Sequence, residues 1–255
     1  CSLQGDYHEA ETYYLQALEI FESTLGISHP DCNDILIKLG NIFLAKKDLP
    51  KAKLNFLKVV ENTKDLLDVH YLASINGLGL VYLEIGDYAS AERCWLEILK
   101  YSQSHSGAIY HNLGLLYEQK GDFDRAKMSY IEALKDSTMH ISSYIKSITS
   151  LGGCCVKLGL LDEAELYLIE AKDLCNSTLG ALHEHHVIIL NLLGDMYIQL
   201  GDYVQSEKFL LEALDICELI KKDNRTYGTT LLNLGVLYAS MGEYLSSEKY
   251  YLHYM

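Results

Sequence analysis

The sequence predicts an all-α fold made of a row of antiparallel helix pairs, and three observations carry that prediction. The first is local. The run NLGLLYEQKGDFDRAKMSYIEAL, from Asn112 to Leu134, holds Leu113-Gly114 and Tyr117, then Gly121-Asp122-Phe123, then Ala126, Tyr130 and Ala133 at steps of four and three. This is the spacing of two short amphipathic helices around a tight turn. Gly121 suits the left-handed position that closes the first helix, and Asp122 can cap the second. The second observation is recurrence. Leu39-Gly40, Leu78-Gly79, Leu113-Gly114, Leu151-Gly152, Leu193-Gly194 and Leu234-Gly235 open six copies of one frame, and twelve residues after each glycine stand Ala52, Ala91, Ala126, Ala164, Ser206 and Ser247. A period of this size marks a stacked array rather than a globule with one centre. The third is the scarcity of breakers: two prolines in 255 residues, with 49% hydrophobic residues, argue against disorder.

Taken in order, residues 1–27 are the second helix of a first copy, with Tyr7, Ala10, Tyr14, Ala17 and Leu18 on its packing face. Residues 28–67 form the second copy. Pro30 suits the start of its first helix, Asp31 is placed to cap it, and Asp48 and Pro50 repeat the pattern where Lys47 replaces the turn glycine. Residues 70–104 bring the single tryptophan, Trp95, and residues 105–138 are the shortest and most regular copy. In 141–178, Gly152-Gly153-Cys154-Cys155 falls inside a helix; glycine costs roughly 1 kcal/mol there, which predicts local bending. Copies at 185–222 and 226–255 complete a single array over 1–255. Spacing is constant within copies and variable between them, so the variation falls at the end of each second helix and in the loop after it.

The LG-x-x-Y, GDY and A-x-x-x-Y/F-x-x-A-L frame resembles the tetratricopeptide repeat over essentially the whole chain. The longer copies, with Thr24-Leu25-Gly26 and His29-Pro30-Asp31 between them, are similar to the extended repeats of kinesin light chain and nephrocystin-3. Departures are Lys47 at a turn, Phe43 and Cys155 at the first-helix tyrosine, and Ser206 and Ser247 at the second-helix alanine. The resemblance implies a right-handed α-solenoid, the tetratricopeptide superhelix, whose first helices line a concave inner surface. It also implies a non-catalytic scaffold for protein–protein interaction.

Composition narrows the function classes. A formal net charge of −14 disfavours nucleic acid, whose binding depends on Lys and Arg. No apolar run approaches the roughly 20 residues that span a bilayer, so no membrane partner is expected. Seven cysteines without paired spacing point to a reducing, cytoplasmic setting. The sequons at Asn176 and Asn224 read as chance triplets. His183, His185 and His186 crowd into four residues, yet no Cys or acidic cluster is fixed beside them and His183 matches His29, so neither a metal nor a cofactor is expected. Cys154 and Cys155, about 100° apart on a helix, have no redox or zinc spacing. No nucleophile has an oriented base and no phosphate-cradling loop occurs, so the chain is not expected to be an enzyme. Opening at Cys1 and stopping at Met255, both inside repeats, it reads as a piece of a longer protein.

Helical geometry assigns the inner surface. His111, Leu115 and Glu118 form a stripe apart from the face of Leu113, Gly114 and Tyr117. Its counterparts are Ile37, Asn41, Leu44; Asn76, Leu80, Leu83; Thr149, Gly153, Val156; Asn191, Asp195, Ile198; and Leu232, Val236, Ala239. Candidate peptide-binding residues are therefore Asn41, Asn76, Leu80, His111, Leu115, Glu118, Asn191, Asp195 and Leu232, with Lys146 one turn earlier in its copy. Asparagine amides can pair with both the N–H and C=O of an extended peptide. The stripes hold no Lys or Arg, so a free carboxylate is not expected to be the main ligand feature. Two roles stay open for the asparagines: holding a ligand, in which case Asn76→Ala and Asn191→Ala weaken binding without unfolding, or tying neighbouring helices. The alternatives to a docking module are a spacer or self-assembly element using repeat ends, and a regulatory array attached to a catalytic domain outside this segment. The frame itself makes one prediction: Ala126→Leu destabilises by about 1–3 kcal/mol through overpacking, while Asp124→Leu changes stability by about 0.5 kcal/mol or less, as read by chemical denaturation.

Overall fold

The computed structural model describes residues 3–64, 68–101, 106–220 and 224–254. Among them are thirteen α-helices and no strand. They are α1 (Leu3–Leu25), α2 (Pro30–Ala45), α3 (Leu49–Thr63), α4 (Val69–Ile85), α5 (Tyr88–Tyr101), α6 (Gly107–Gln119) and α7 (Phe123–Leu134). After these come α8 (Ile141–Lys157), α9 (Leu161–Thr178), α10 (Glu184–Leu200), α11 (Tyr203–Ile220), α12 (Asn224–Ser240) and α13 (Tyr244–Tyr254). The chain is all-α, of the solenoid class. Its contacts divide into two compact units, residues 1–116 and 117–255. In the first, α1 to α5 each pack on the next and α2 also touches α4; in the second, α7 to α13 do the same, with α8 touching α10 and α10 touching α12.

Local chemistry sets the helix ends. Lys47 adopts φ +60° at the turn where later copies carry Gly86, Gly121, Gly159, Gly201 and Gly242. An L-residue there pays roughly 1–2 kcal/mol relative to the right-handed region. Asp48, Asp87, Asp122 and Asp202 then accept the backbone N–H of Lys51, Ser90, Arg125 and Gln205, as N-caps do. The copy of α8 and α9 has Leu160 instead and no side-chain cap. At the start of α2 the cap is His29, not Asp31: its Nδ1 accepts the Asp31 N–H at 3.3 Å. Pro30 occupies the first helical position, which leaves the preceding residue as cap and puts Asp31 in the first turn, where its charge meets the positive helix end. His140 and His183 cap α8 and α10 in the same way.

The Leu-Gly glycines are packing sites. Sixteen residues after five of them stands a large side chain on the partner helix, and it fills the space a Cβ would take. A Cβ on Gly40 would lie 2.6 Å from the Phe56 ring, on Gly79 2.6 Å from the Trp95 indole, on Gly152 2.7 Å from Leu168, on Gly194 2.4 Å from Leu210 and on Gly235 2.5 Å from Tyr251. Gly77 of α4 meets Phe56 as well, at 2.5 Å, so this one ring is gripped from two helices. Phe56, Trp95, Leu168 and Leu210 are fully buried. Through Gly152-Gly153, α8 runs as one unbroken helix, because Leu168 occupies the groove that Gly152 leaves.

A second set of contacts joins consecutive copies. The hydroxyl of Tyr197 on α10 donates to Glu165 of α9, and that of Tyr238 on α12 donates to Glu207 of α11 at 2.6 Å. In the first unit Lys53 holds the matching place on α3 and its ammonium lies 4.7 Å from the centre of the Tyr82 ring, a cation–π contact. No described helix is long and apolar enough to cross a membrane.

Two glycine substitutions separate packing from helix propensity. Gly79→Ala is expected to destabilise by about 1–3 kcal/mol, since the rigid indole cannot yield. In Gly153→Ala the new Cβ sits 3.6 Å from Leu192, and the same change is expected to stabilise by about 0.5–1 kcal/mol through helix propensity. Denaturant midpoints of the two variants check both signs.

Candidate functional site

In the first unit, Asn41 is exposed on α2, and Leu80 of α4 and His111 and Leu115 of α6 are half-buried. Asn76 has a different setting. Its Oδ1 accepts the Trp95 indole N–H at 2.9 Å and the Asn112 amide at 3.0 Å, so it ties α4 to α5 and α6. In the second unit the half-buried Glu118 accepts the Tyr130 hydroxyl at 2.7 Å. Burial raises the pKa of this carboxyl and of its phenol partner. Asn191 is buried; its amide donates to Thr230 Oγ1 at 2.9 Å and its Oδ1 accepts the Asn233 amide at 3.3 Å. Asn76–Asn112 and Asn191–Asn233 are one device used twice: each joins the first helices of consecutive copies. Of the three candidate asparagines, Asn76 and Asn191 thus tie neighbouring helices, and Asn41 makes no such bond among the described residues.

One concavity of the second unit stands out, a cleft of about 840 Å³ along α10. Asn191 and Asp195 belong to its wall, with Ile188, Leu192 and Glu184 from the same helix. Lys157 closes it from the end of α8, and Arg225, Thr226, Thr229 and Asn233 of α12 form the far side. Lys157 Nζ lies 3.6 Å from an Asp195 carboxylate oxygen. Of the residues expected on this side, the exposed Lys146 and half-buried Leu232 are not part of the cleft wall, nor is Glu118.

Lys157, Arg225, Thr229 and Asn233 were not on the expected stripes, and for Lys157 the reason is geometric. The third stripe position was taken three residues after the second, which selects Leu83 and Val156. Both are buried, because each lies four residues after a packing glycine, Gly79 or Gly152, and shares its face. The next residues, Glu84 and Lys157, are exposed. A step of four instead of three places Lys157 below Gly153 and brings a cation to the cleft wall, where the stripes carried no Lys or Arg.

The histidine cluster does not converge. His183 caps α10 through Nδ1, His185 is half-buried and His186 is buried, and among the described residues no three His, Cys, Asp or Glu side chains are placed to hold a metal. Burial depresses the pKa of His185 and His186 and pushes the Cys154 and Cys155 thiols up to about 12 and about 11. These thiols stay protonated at neutral pH and so lack the thiolate that reactive cysteines need.

The sequence profile described as tetratricopeptide repeat matches residues 1–65, 70–137, 145–219 and 187–255. Among curated proteins none matches the chain significantly. Solved structures do. BtubC (BKLC) from P. vanneervenii superposes with a TM-score of 0.70 at 22% identity, covering 81% of this chain and 89% of that one. A Podosopora anserina putative kinesin light chain with nearly identical TPR-like repeats gives 0.62 at 18% identity, covering 76% and 99%. YrrB, a TPR protein with an unusual peptide-binding site, gives 0.52 at 17% identity, covering 78% and 90%. At these identities the likeness speaks for the fold alone.

The asparagine geometry predicts a split. Asn191→Ala removes the side-chain bonds to Thr230 and Asn233, while Thr230 keeps its bond to the Thr226 carbonyl and Asn233 its bond to the backbone carbonyl of residue 191; it is expected to destabilise by about 1–2 kcal/mol. Asn41→Ala, on an exposed surface, is expected to stay within about 0.5 kcal/mol of the parent. Urea unfolding of the two single variants measures the difference.

Proposed function

We propose, from the fact that the chain belongs to the tetratricopeptide repeat family, that it is a non-catalytic protein-binding scaffold and that the cleft along α10 holds an extended segment of another polypeptide. The observation that carries this reading is the composition of the cleft wall. Ile188 and Leu192 supply an apolar strip beside Asn233, Thr226 and Thr229, so apolar side chains and backbone polar groups of a peptide both find partners. Ligand clefts commonly span some 300–1,000 Å³ with a mostly apolar lining and a few placed polar groups, and this one falls in that range.

Charge sharpens the expected ligand. Lys157 and Arg225 lie within the wall together with Glu184 and Asp195, so the cleft favours a segment with side chains of both signs over a purely acidic or basic one. The link between Lys157 and Asp195 already neutralises part of the wall. This agrees with a site that reads a sequence within a chain rather than a chain terminus. Within the wall, the largely buried Asn191 accepts the amide of Asn233.

Selection of a random peptide library on the immobilised chain tests this, with affinities then read by fluorescence anisotropy. Thr229 is exposed on the cleft side, and Thr229→Arg is expected to weaken the selected peptides at least about tenfold, equivalent to about 1.4 kcal/mol. Val204→Arg, at an exposed position on α11 outside the cleft wall, is expected to leave them unchanged. The reverse pattern, or a library that yields no binders, refutes the reading.

A further inference from the structure

Several copies bring the same two positions together: the residue eight before the Leu-Gly glycine on the first helix, and the residue six after the small residue on the second. Tyr71 donates there to Glu97 at 2.6 Å and Tyr144 to Glu170 at 3.2 Å, and the Tyr227 hydroxyl lies 3.3 Å from His253 Nδ1. In the copy of α10 and α11 the first position is His186, facing Glu212. The imidazole is shorter than a phenol and its Nε2 stops 3.7 Å from the carboxylate oxygen. The residue is 3% exposed, and neither ring nitrogen has a hydrogen-bond partner among the described residues. His186 sits one turn inside the N-terminus of α10, and that turn is capped by another histidine, His183, whose Nδ1 accepts the His185 N–H at 3.1 Å. His29 and His140 cap α2 and α8 in the same way, but three residues after those caps stand Cys32 and Ser143 rather than a histidine.

We propose that the first turn of α10 is an acid-sensitive latch: protonation of the buried, unbonded His186 releases it from α11 and loosens the end of the cleft formed by Glu184 and Ile188. Two physical effects act in the same direction. A proton on His186 places a positive charge in a buried position, and it does so near the positive end of the helix dipole. The charged groups on the packed helices do not offset this. Lys172 of α9 opposes a positive ring, and the half-exposed Glu212 of α11 favours it but does not overcome burial. On the other two helices packed against α10, Lys146 of α8 acts on His185, which is also disfavoured as a cation by burial and by His183, and Arg225 of α12 lies in the cleft.

The direction of the pH effect follows. His186 binds a proton less readily folded than unfolded, where its value is near 6.5, so the chain takes up a proton on opening. Its contribution to stability is complete above about pH 6.5 and is lost as pH falls towards the depressed folded value. His185 has the same sign. The consequence for the cleft rests on the peptide-binding reading; the latch itself does not.

Backbone amide exchange of the 255-residue chain at pH 7.5 and 5.5, expressed as protection factors, tests the latch without any ligand. Protection over residues 184–190 is expected to fall several-fold at the lower pH, while α12 keeps its protection. In the double variant His183→Asp, His186→Tyr, which puts an aspartate cap and the tyrosine of the sibling copies in place, residues 184–190 are expected to lose clearly less protection than in the parent, the remainder being the share of His185. Equal acid loss in parent and variant, or no loss in the parent, overturns the proposal. Should the double variant not fold, the ring titration of His186 in the parent by NMR decides: a midpoint below the ordinary histidine value supports the latch, and one at or above it overturns it.

Discussion

The contact on which this architecture depends is the seating of one large side chain against a glycine of the partner helix. Phe56, Trp95, Leu168, Leu210 and Tyr251 occupy volumes that any Cβ on the facing glycine would enter. Because those side chains come from the second helix at a constant offset from the glycine, the contact fixes both the closeness and the axial register of each pair. Close-packed interiors tolerate little change in volume, which explains why the ring or leucine varies among copies while the glycine recurs in all six. The two glycines that grip Phe56, Gly40 and Gly77, extend the same contact from within a pair to between pairs.

Polar contacts between copies add specificity to this apolar frame. The Asn76–Asn112 and Asn191–Asn233 links and the tyrosine bonds to Glu165 and Glu207 each satisfy groups that burial would otherwise leave unpaired. They also divide the inner-face residues into two kinds. A side chain already spent on a neighbouring helix is a poor choice for gripping a ligand, whereas Lys157, Thr229 and Leu192 face the cleft. Position G−8 of the frame shows the same economy: three copies use a tyrosine to reach the second helix, and His186 is the one described residue there that brings a titratable ring and finds no hydrogen bond.

The sequence was legible to different depths in different places. The turn residues from Gly86 to Gly242, the unusual Lys47 and the caps at Asp48 and Asp122 could be read directly, since each depends on a few consecutive residues. The cap at His29 was misassigned to Asp31 by one position class, because the residue before Pro30 also has a ring nitrogen that reaches two residues ahead. The third member of the α8 stripe is the buried Val156, and the exposed Lys157 that lines the cleft is the residue after it.

By itself the sequence determined the helices, their pairing and the positions of small and large packing residues, because these rest on spacings of three to sixteen residues along one chain. Tertiary structure alone decided which inner-face side chains remain available. Whether Asn191 is a ligand contact or a tie depends on Asn233 and Thr230, roughly one repeat away, and no local periodicity records what lies across that gap. The same holds for the cleft, whose wall is assembled from three helices and exists only once α8, α10 and α12 stand side by side.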